Sequence, residues 1–301
     1  MNNTLNVIGT GLNGLVGSKV VSELADRCSF ENIDIRHPIS PVDITNEQQV
    51  MEFFNRSSAQ VVLHCAAFTD VTAAWHQRGE KDGLAYQINV LGTKNIAQAC
   101  AQTGKYLVHL STAYVFDGTK PTPYLESDTP NPIEWYGQTK LEAEQMVQEF
   151  AQDWAIVRID QPFRSDKHLK LDVVHRIIQQ LNDGTLPPQF EDHTFGPTYI
   201  NDLARHLGWF LETKTTGIFH GTSGESWTDY KFATQIASLL GRKETLKPGS
   251  LQAYLKTTQR PYQANTSLNT GKLLALLPYK PIDIVTALEQ TVTRNASSST
   301  S

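Results

Sequence analysis

The fold is decided by the opening stretch Leu5-Asn6-Val7-Ile8-Gly9-Thr10-Gly11-Leu12-Asn13-Gly14-Leu15-Val16-Gly17. Leu5 to Ile8 is a short apolar run of strand character. A turn punctuated by glycine follows, and then a helical pattern through Val20, Val21 and Leu24. In a strand–turn–helix context each glycine has work to do. Gly11 permits the tight turn, Gly14 lets backbone approach a pyrophosphate at the helix N-terminus, and Gly17 lets the helix pack close to the strand. The spacing is G-x-x-G-x-x-G, not the G-x-G-x-x-G of other dinucleotide folds. A plain strand-to-helix turn is the bland alternative. The flanking pattern favours a dinucleotide lying against Gly11, Leu12, Asn13, Gly14, Leu15, Val16 and Gly17.

Outward from this turn, strand and helix alternate. Asn32-Ile33-Asp34-Ile35 reads as the second strand, with Asp34 about 20 residues past the glycines, where an acid accepts from ribose hydroxyls. Asp34 would repel a 2′-phosphate and favours NAD, whereas Arg36 and His37 just beyond would accept one and favour NADP. The preference between NAD and NADP stays open. A helix from Glu47 to Phe54 comes after Asp43-Ile44-Thr45. A strand, Gln60 to His64, is apolar enough for burial on both faces. It ends in Cys65-Ala66-Ala67-Phe68-Thr69, whose small residues leave room for a flat ring or a phosphate. A helix runs from Tyr86 to Gln102, with strands at Tyr106 to Leu110 and Trp154 to Ile159. This alternation predicts an α/β fold with a Rossmann-type, doubly wound parallel sheet over 1–160. Beyond Ile159 the alternation loosens. Helices are expected from His168 to Leu181, after Tyr199, and from Trp227 to Leu240, with a strand at Gly217 to His220. Segment 190–222 is expected to return to the sheet, 161–189 and 223–294 to form a smaller α/β substrate-binding region, and 295–301 to be a disordered tail.

The strand ending at Leu110 delivers Ser111 and Thr112. Tyr136 and Lys140 then stand four apart at the start of a helical pattern, on one helix face. An ammonium beside a phenol lowers the tyrosine pKa, which makes Tyr136 a candidate proton donor and acceptor. Thr112 would hold the oxygen that gains or loses the proton.

Composition narrows the classes. The 301 residues are 40% hydrophobic and 19% charged, ordinary for a globular protein, and the net charge of −5 argues against a nucleic-acid surface. Three cysteines, Cys28, Cys65 and Cys100, show no C-x-x-C spacing, and the histidines no H-x-x-x-H pair, so neither a disulfide framework nor a metal site is expected. Cys65 reads as a buried small hydrophobe. No signal peptide and no apolar run of membrane-spanning length is visible, so a cytoplasmic protein without membrane contacts is expected.

Taken together, Thr10-Gly11-x-x-Gly14-x-x-Gly17, Asp43-Ile44-Thr45, Ala66-Ala67-Phe68-Thr69, Asn89, Ser111-Thr112-x-Tyr114-Val115-Phe116-Asp117-Gly118, Tyr136-Gly137-x-x-Lys140, Phe195-Gly196-Pro197-Thr198 and Trp227 resemble, in order over nearly the whole chain, an extended short-chain dehydrogenase/reductase. They are most similar to the dTDP-4-dehydrorhamnose reductase branch. That resemblance implies NAD(P)H-dependent reduction of a nucleotide-linked 4-keto-6-deoxy sugar, with Thr112, Tyr136 and Lys140 catalytic. It adds Asp43, Ile44, Ala66, Ala67, Asn89 and Pro162 to the cofactor set. Thr69, Ala113 and Tyr114 would meet the substrate, and Arg164, His193 and Arg260 its diphosphate. The branch usually carries an aspartate where Ala113 stands, and an aromatic-glycine pair where the run after Ile159 ends in Arg164. Members that dimerise through magnesium carry a glutamate where Ser18-Lys19 stand; a homodimer is compatible with the sequence. Two other readings fit the scaffold: an NAD-dependent sugar-nucleotide epimerase, or a non-catalytic NADP-binding subunit resembling the regulatory subunit of methionine adenosyltransferase.

Overall fold

The computed structural model describes residues 4–35, 41–242 and 245–298. Six parallel strands form the central sheet: β1 (Leu5–Thr10), β2 (Cys28–Ile33), β3 (Val61–His64), β4 (Tyr106–Thr112), β5 (Trp154–Ile159) and β6 (Gly217–His220). Their order is β6-β5-β4-β3-β1-β2, so the direction of winding reverses between β1 and β3. The crevice at the carboxyl ends of those strands is where such sheets take ligands.

Apolar side chains on both faces of the strands explain the sandwich. Val7, Leu63, Val108 and Val157 pack under α1 (Leu15–Glu23) and, from much later in the chain, Leu203, Leu207 and Phe210 of a helix at Ile200–Thr213. On the opposite face, Ile8, Val62, Leu107 and Ile156 meet α2 (Glu47–Arg56), α3 (Thr93–Thr103) and α4 (Trp135–Phe150) through Val50, Phe54, Ile96 and Val147. Local signals start these helices. Asn46 caps α2 by accepting from Gln49 N–H at 3.1 Å, and α3 stops at Gly104 in the left-handed region (φ 64°).

A second core joins α5 (Val173–Asp183), α6 (the helix at Ile200–Thr213) where it begins, α7 (Asp229–Leu239) and α8 (Ile284–Ser298) through Phe163, Ile178, Tyr199, Phe232, Ile236 and Leu288. Two-residue strands at Pro162–Phe163 and Thr198–Tyr199 pair in parallel and stitch this part to the end of β5. Among the described residues no helix is long and apolar enough to cross a membrane.

Three expectations change. The second strand runs over Cys28–Ile33, not Asn32–Ile35, because six successive residues from Cys28 to Ile33 register with Leu5 to Thr10; ladder pairing outweighs their weak β character. The helix expected from Tyr86 to Gln102 is composite. A short helical turn (Leu84–Tyr86) widens into a π-helical turn (Gln87–Gly92) before α3 begins. Of the tail expected to be disordered, Asn295 to Ser298 continue the last helix, and 299–301 lie outside the described residues.

Candidate active site

The glycine turn is built as the spacing requires. Gly11 has φ +67°, and a Cβ there would lie 2.6 Å from Ala66 N, so this crossing between the ends of β1 and β3 excludes a side chain. Gly14 caps α1 with extended backbone, and its N–H is held by Gly11 O at 3.0 Å. A Cβ on Gly17 would collide with Gly11 O, which is why helix and turn can pack so closely.

From this turn a cavity of about 690 Å³ runs to the first turn of α4, a size suited to a ligand of dinucleotide or sugar-nucleotide class. Gly11, Asn13, Gly14, Leu15, Val16 and Gly17 line one end, with Asp34, Asp43, Ile44, Ala66 and Ala67 beside them. Asp34 accepts from Asn13 Nδ2 at 2.8 Å. Thr69, Thr112, Tyr114, Tyr136, Lys140 and Pro162 line the far end. The cradle free of side chains at one end and the hydroxyl and ammonium groups at the other fit a nicotinamide dinucleotide. Arg36 and His37 lie outside the described residues.

Thr112 ends β4, and its Oγ1 accepts from Tyr114 N–H at 3.2 Å. Tyr136 enters on the first turn of α4, whose N-cap is Glu134. Glu134 accepts from Tyr136 N–H at 2.8 Å and from Gly137 N–H at 2.6 Å. Burial pushes the Glu134 carboxyl up to about 7, against those two backbone donors. Gly137 is required because a Cβ there would strike the carbonyl of Tyr114. The ring of Tyr114 packs edge-on against Tyr136 at 5.9 Å.

The expected effect of Lys140 on Tyr136 is corrected. Lys140 Nζ turns into β4, donating to Leu110 O at 2.8 Å and to His109 Nε2 at 3.2 Å. Tyr136 is instead pushed above the ordinary phenol value, by burial first and by Glu134 next, with the Thr112 hydroxyl pulling the other way. Burial also lowers Lys140 to about 8, opposed by Glu144. Tyr136 is therefore a protonated phenol at neutral pH, the state that donates a proton in the reducing direction.

Several other expected contacts are absent. Arg164 does not reach the cavity: its Nη1 donates to Leu15 O at 3.1 Å and Ser18 Oγ at 2.8 Å, and its Nη2 to Asp166 Oδ2 at 2.6 Å. Lys19 pairs with Asp166 at 2.8 Å and with Glu23 at 2.9 Å. The Ser18-Lys19 position is thus used within the chain. His193 pairs with Asp229 at 2.7 Å, and Arg260 lies over the Tyr262 ring at 3.6 Å; neither lines the cavity. Leu12 belongs to the core under β1, and Ala113 is buried beside Val115 and Phe116. Asn89, fully buried, stands behind the wall. It donates to Thr139 Oγ1 at 2.9 Å and accepts from Phe68 N–H at 2.7 Å, fixing the Ala66–Phe68 segment against α4.

Other residues take places that sequence reading did not assign. Cys65, read as a core hydrophobe, lines the cavity, as do Lys170, Asp172 and Arg176 at the start of α5. Lys170 Nζ donates to Thr69 Oγ1 at 2.6 Å across the mouth. Gln161, also on the lining, has φ 37°, a left-handed conformation unusual for a side chain of its size. Asp160 precedes it and accepts from Thr266 Oγ1 at 2.6 Å and Gly196 N–H at 3.0 Å. Under α4, Glu144 binds Arg158 through Nε at 2.9 Å and Nη2 at 2.6 Å, and accepts from Ser111 Oγ at 2.6 Å. An acidic residue one turn beyond Lys140 was the available signal for that pair.

A sheet of this order, with its glycine crossing at one end of the cavity and Thr112, Tyr136 and Lys140 at the other, defines an extended short-chain dehydrogenase/reductase. Residues 5–296 match the RmlD substrate binding domain, and the chain belongs to that family. It is 30% identical over 255 residues to the probable low-salt glycan biosynthesis reductase Agl14 of Haloferax volcanii, covering 82% of this chain and 84% of the relative. It is 28% identical to methionine adenosyltransferase 2 subunit beta of Rattus norvegicus, over 90% of this chain and 82% of the relative. The crystal structure of dTDP-4-dehydrorhamnose reductase from Bacillus anthracis in complex with NADP has a TM-score of 0.84 and 28% identity, covering 98% of this chain and 100% of that one.

Proposed function

We propose that this chain is an NAD(P)H-dependent reductase of a nucleotide-linked 4-keto-6-deoxy sugar, like the dTDP-4-dehydrorhamnose reductases it resembles. The observation that carries the reading is one continuous cavity reaching from the glycine turn to Thr112, Tyr136 and Lys140. The nicotinamide, when bound, supplies the hydride. Thr112 and Tyr136 direct their hydroxyls at the oxygen on which negative charge grows, and Tyr136 gives that oxygen its proton. Lys140 offers its ammonium to the cofactor ribose from a socket in β4. The start of α5 closes the far side, where Lys170 and Arg176 supply the cationic groups for a diphosphate that Arg164, His193 and Arg260 do not.

Tyr136→Phe with a dTDP-linked 4-keto-6-deoxy sugar tests the reading. Turnover should fall by about 10²–10⁴-fold, the usual weight of a positioned acid, while NADPH still binds. Unchanged turnover overturns it. The similarity to methionine adenosyltransferase 2 subunit beta supports a second reading, a cofactor-binding partner subunit. No turnover by the wild-type protein on dTDP-, UDP- and GDP-linked 4-keto sugars, together with tight NADPH binding and co-purification of a partner enzyme, would favour that one.

A further inference from the structure

Register sets three polar side chains in one row across the interior of the sheet. Thr10 of β1 lies opposite His64 of β3, and His64 lies opposite His109 of β4. Both histidines are 0% exposed, and their rings stand 5.2 Å apart at 35°. Thr10 Oγ1 accepts from Ala66 N–H at 3.1 Å and meets His64 Nδ1 at 2.6 Å. Its own proton is thereby available to His64 Nδ1, which leaves His64 Nε2–H to donate to Thr93 Oγ1 at 3.0 Å. His64 is thus satisfied as a neutral ring, and burial drives its pKa down to about 3.

His109 is placed differently. Its Nε2 faces Lys140 Nζ at 3.2 Å. An ammonium has only donors, so Nε2 is the acceptor and the ring proton sits on Nδ1. Nδ1 has no hydrogen-bond partner among the described residues. An unpaired buried N–H is costly, and an apolar side chain in this row would avoid the cost. What the imidazole provides in return is the second of two fixed acceptors for the Lys140 ammonium, Leu110 O being the first at 2.8 Å.

We infer that His109 is a positioning residue, a neutral acceptor within the sheet that holds the Lys140 ammonium in place beneath the cofactor. This rests on the placement of Lys140 at the cofactor ribose in the reductase reading. The titratable groups that act on Lys140 from the elements around it are His109 of β4, His64 of β3, Cys65 just beyond β3 and Glu144 of α4, with Ser111 of β4 and Arg158 of β5 bonded to Glu144 behind it. Of these, His109 and the Leu110 carbonyl are the ones bonded to Nζ. A protonated His109 would set two cations face to face, and burial and Lys140 together keep it neutral far below its ordinary range.

The test is the pH dependence of NADH and NADPH binding, followed by fluorescence, in the wild type, His109→Leu and His109→Gln. Affinity in the wild type should weaken as Lys140 loses its proton near pH 8. In His109→Leu the ammonium loses an acceptor, so the midpoint should move down by about one pH unit. In His109→Gln, whose amide oxygen can accept, it should stay near the wild type. An unmoved midpoint in a folded His109→Leu overturns the inference. If that variant does not fold, nitrogen-15 shifts of the wild-type histidines decide: unprotonated Nε2 on His109 sustains the inference and a proton on Nε2 overturns it. Because binding is read without turnover, failure to reduce any keto sugar would remove the reductase reading and leave this result standing.

Discussion

Glu134 shows how one buried carboxyl can set a pH dependence. Its pKa rises from 4.5 to about 7 on folding, with burial the main cause. Folding therefore favours its protonated form. The stability it contributes is fully present below about pH 4.5 and is lost as pH rises through about 7. At about 1.4 kcal/mol per pKa unit, the shift corresponds to an effect of roughly 3 kcal/mol. Glu134→Gln keeps an acceptor for the α4 cap without the titration. Its thermal midpoint should change less between pH 5 and pH 8 than that of the wild type. An equal change in both proteins would mean that the slope comes from elsewhere, Asp160 being the next candidate because burial raises it to about 6. At this scale the sequence was informative wherever the chemistry is local. Gly11, Gly14, Thr112 and Tyr136 stand where their spacing suggests. The direction of Lys140 was not legible, since it depends on a strand some thirty residues earlier presenting His109 Nε2 and a carbonyl.

Among the elements, α4 carries the most consequence, because one helix presents Tyr136, Lys140 and Glu144. The Glu144–Arg158 pair, with side chains only 1% and 2% exposed, pins that helix to β5. Glu144→Ala would strand a buried guanidinium and should cost about 3–5 kcal/mol in denaturant unfolding. Replacing both partners, as in Glu144→Leu with Arg158→Met, should cost much less, because no charge is left unpaired. Equal losses in the single and double variants would show that packing, not charge, dominates. The strand and helix order of the first half could be read from periodicity, whereas the π-helical turn at Gln87–Gly92 could not. It departs from the regular repeat by a single backbone bond pattern, and its effect is to bring Asn89 inward against Phe68 and Thr139.

For the molecule as a whole, Arg164 is the informative failure of sequence reading. An arginine in the substrate half was expected to meet a diphosphate, yet it clasps Leu15 and Ser18, some 150 residues earlier. Which cation faces a cavity is settled by how two distant segments pack, which no local pattern records. Arg164→Ala should loosen that clasp, lowering stability by about 1–3 kcal/mol and raising hydrogen exchange in 162–172 and at the start of α1. Unaltered exchange in both segments would mean that the clasp does not hold the halves together. The edge strand β6 and the covering helix α6 carry a different implication. Both come from beyond residue 199, yet they complete the sheet whose first strand is Leu5–Thr10. During synthesis, a chain that has emerged only as far as β5 exposes an open strand edge and an apolar face covered only by α1 to the cell. The ribosome must deliver some sixty further residues before they are covered, which makes this the interval in which a chaperone would matter most.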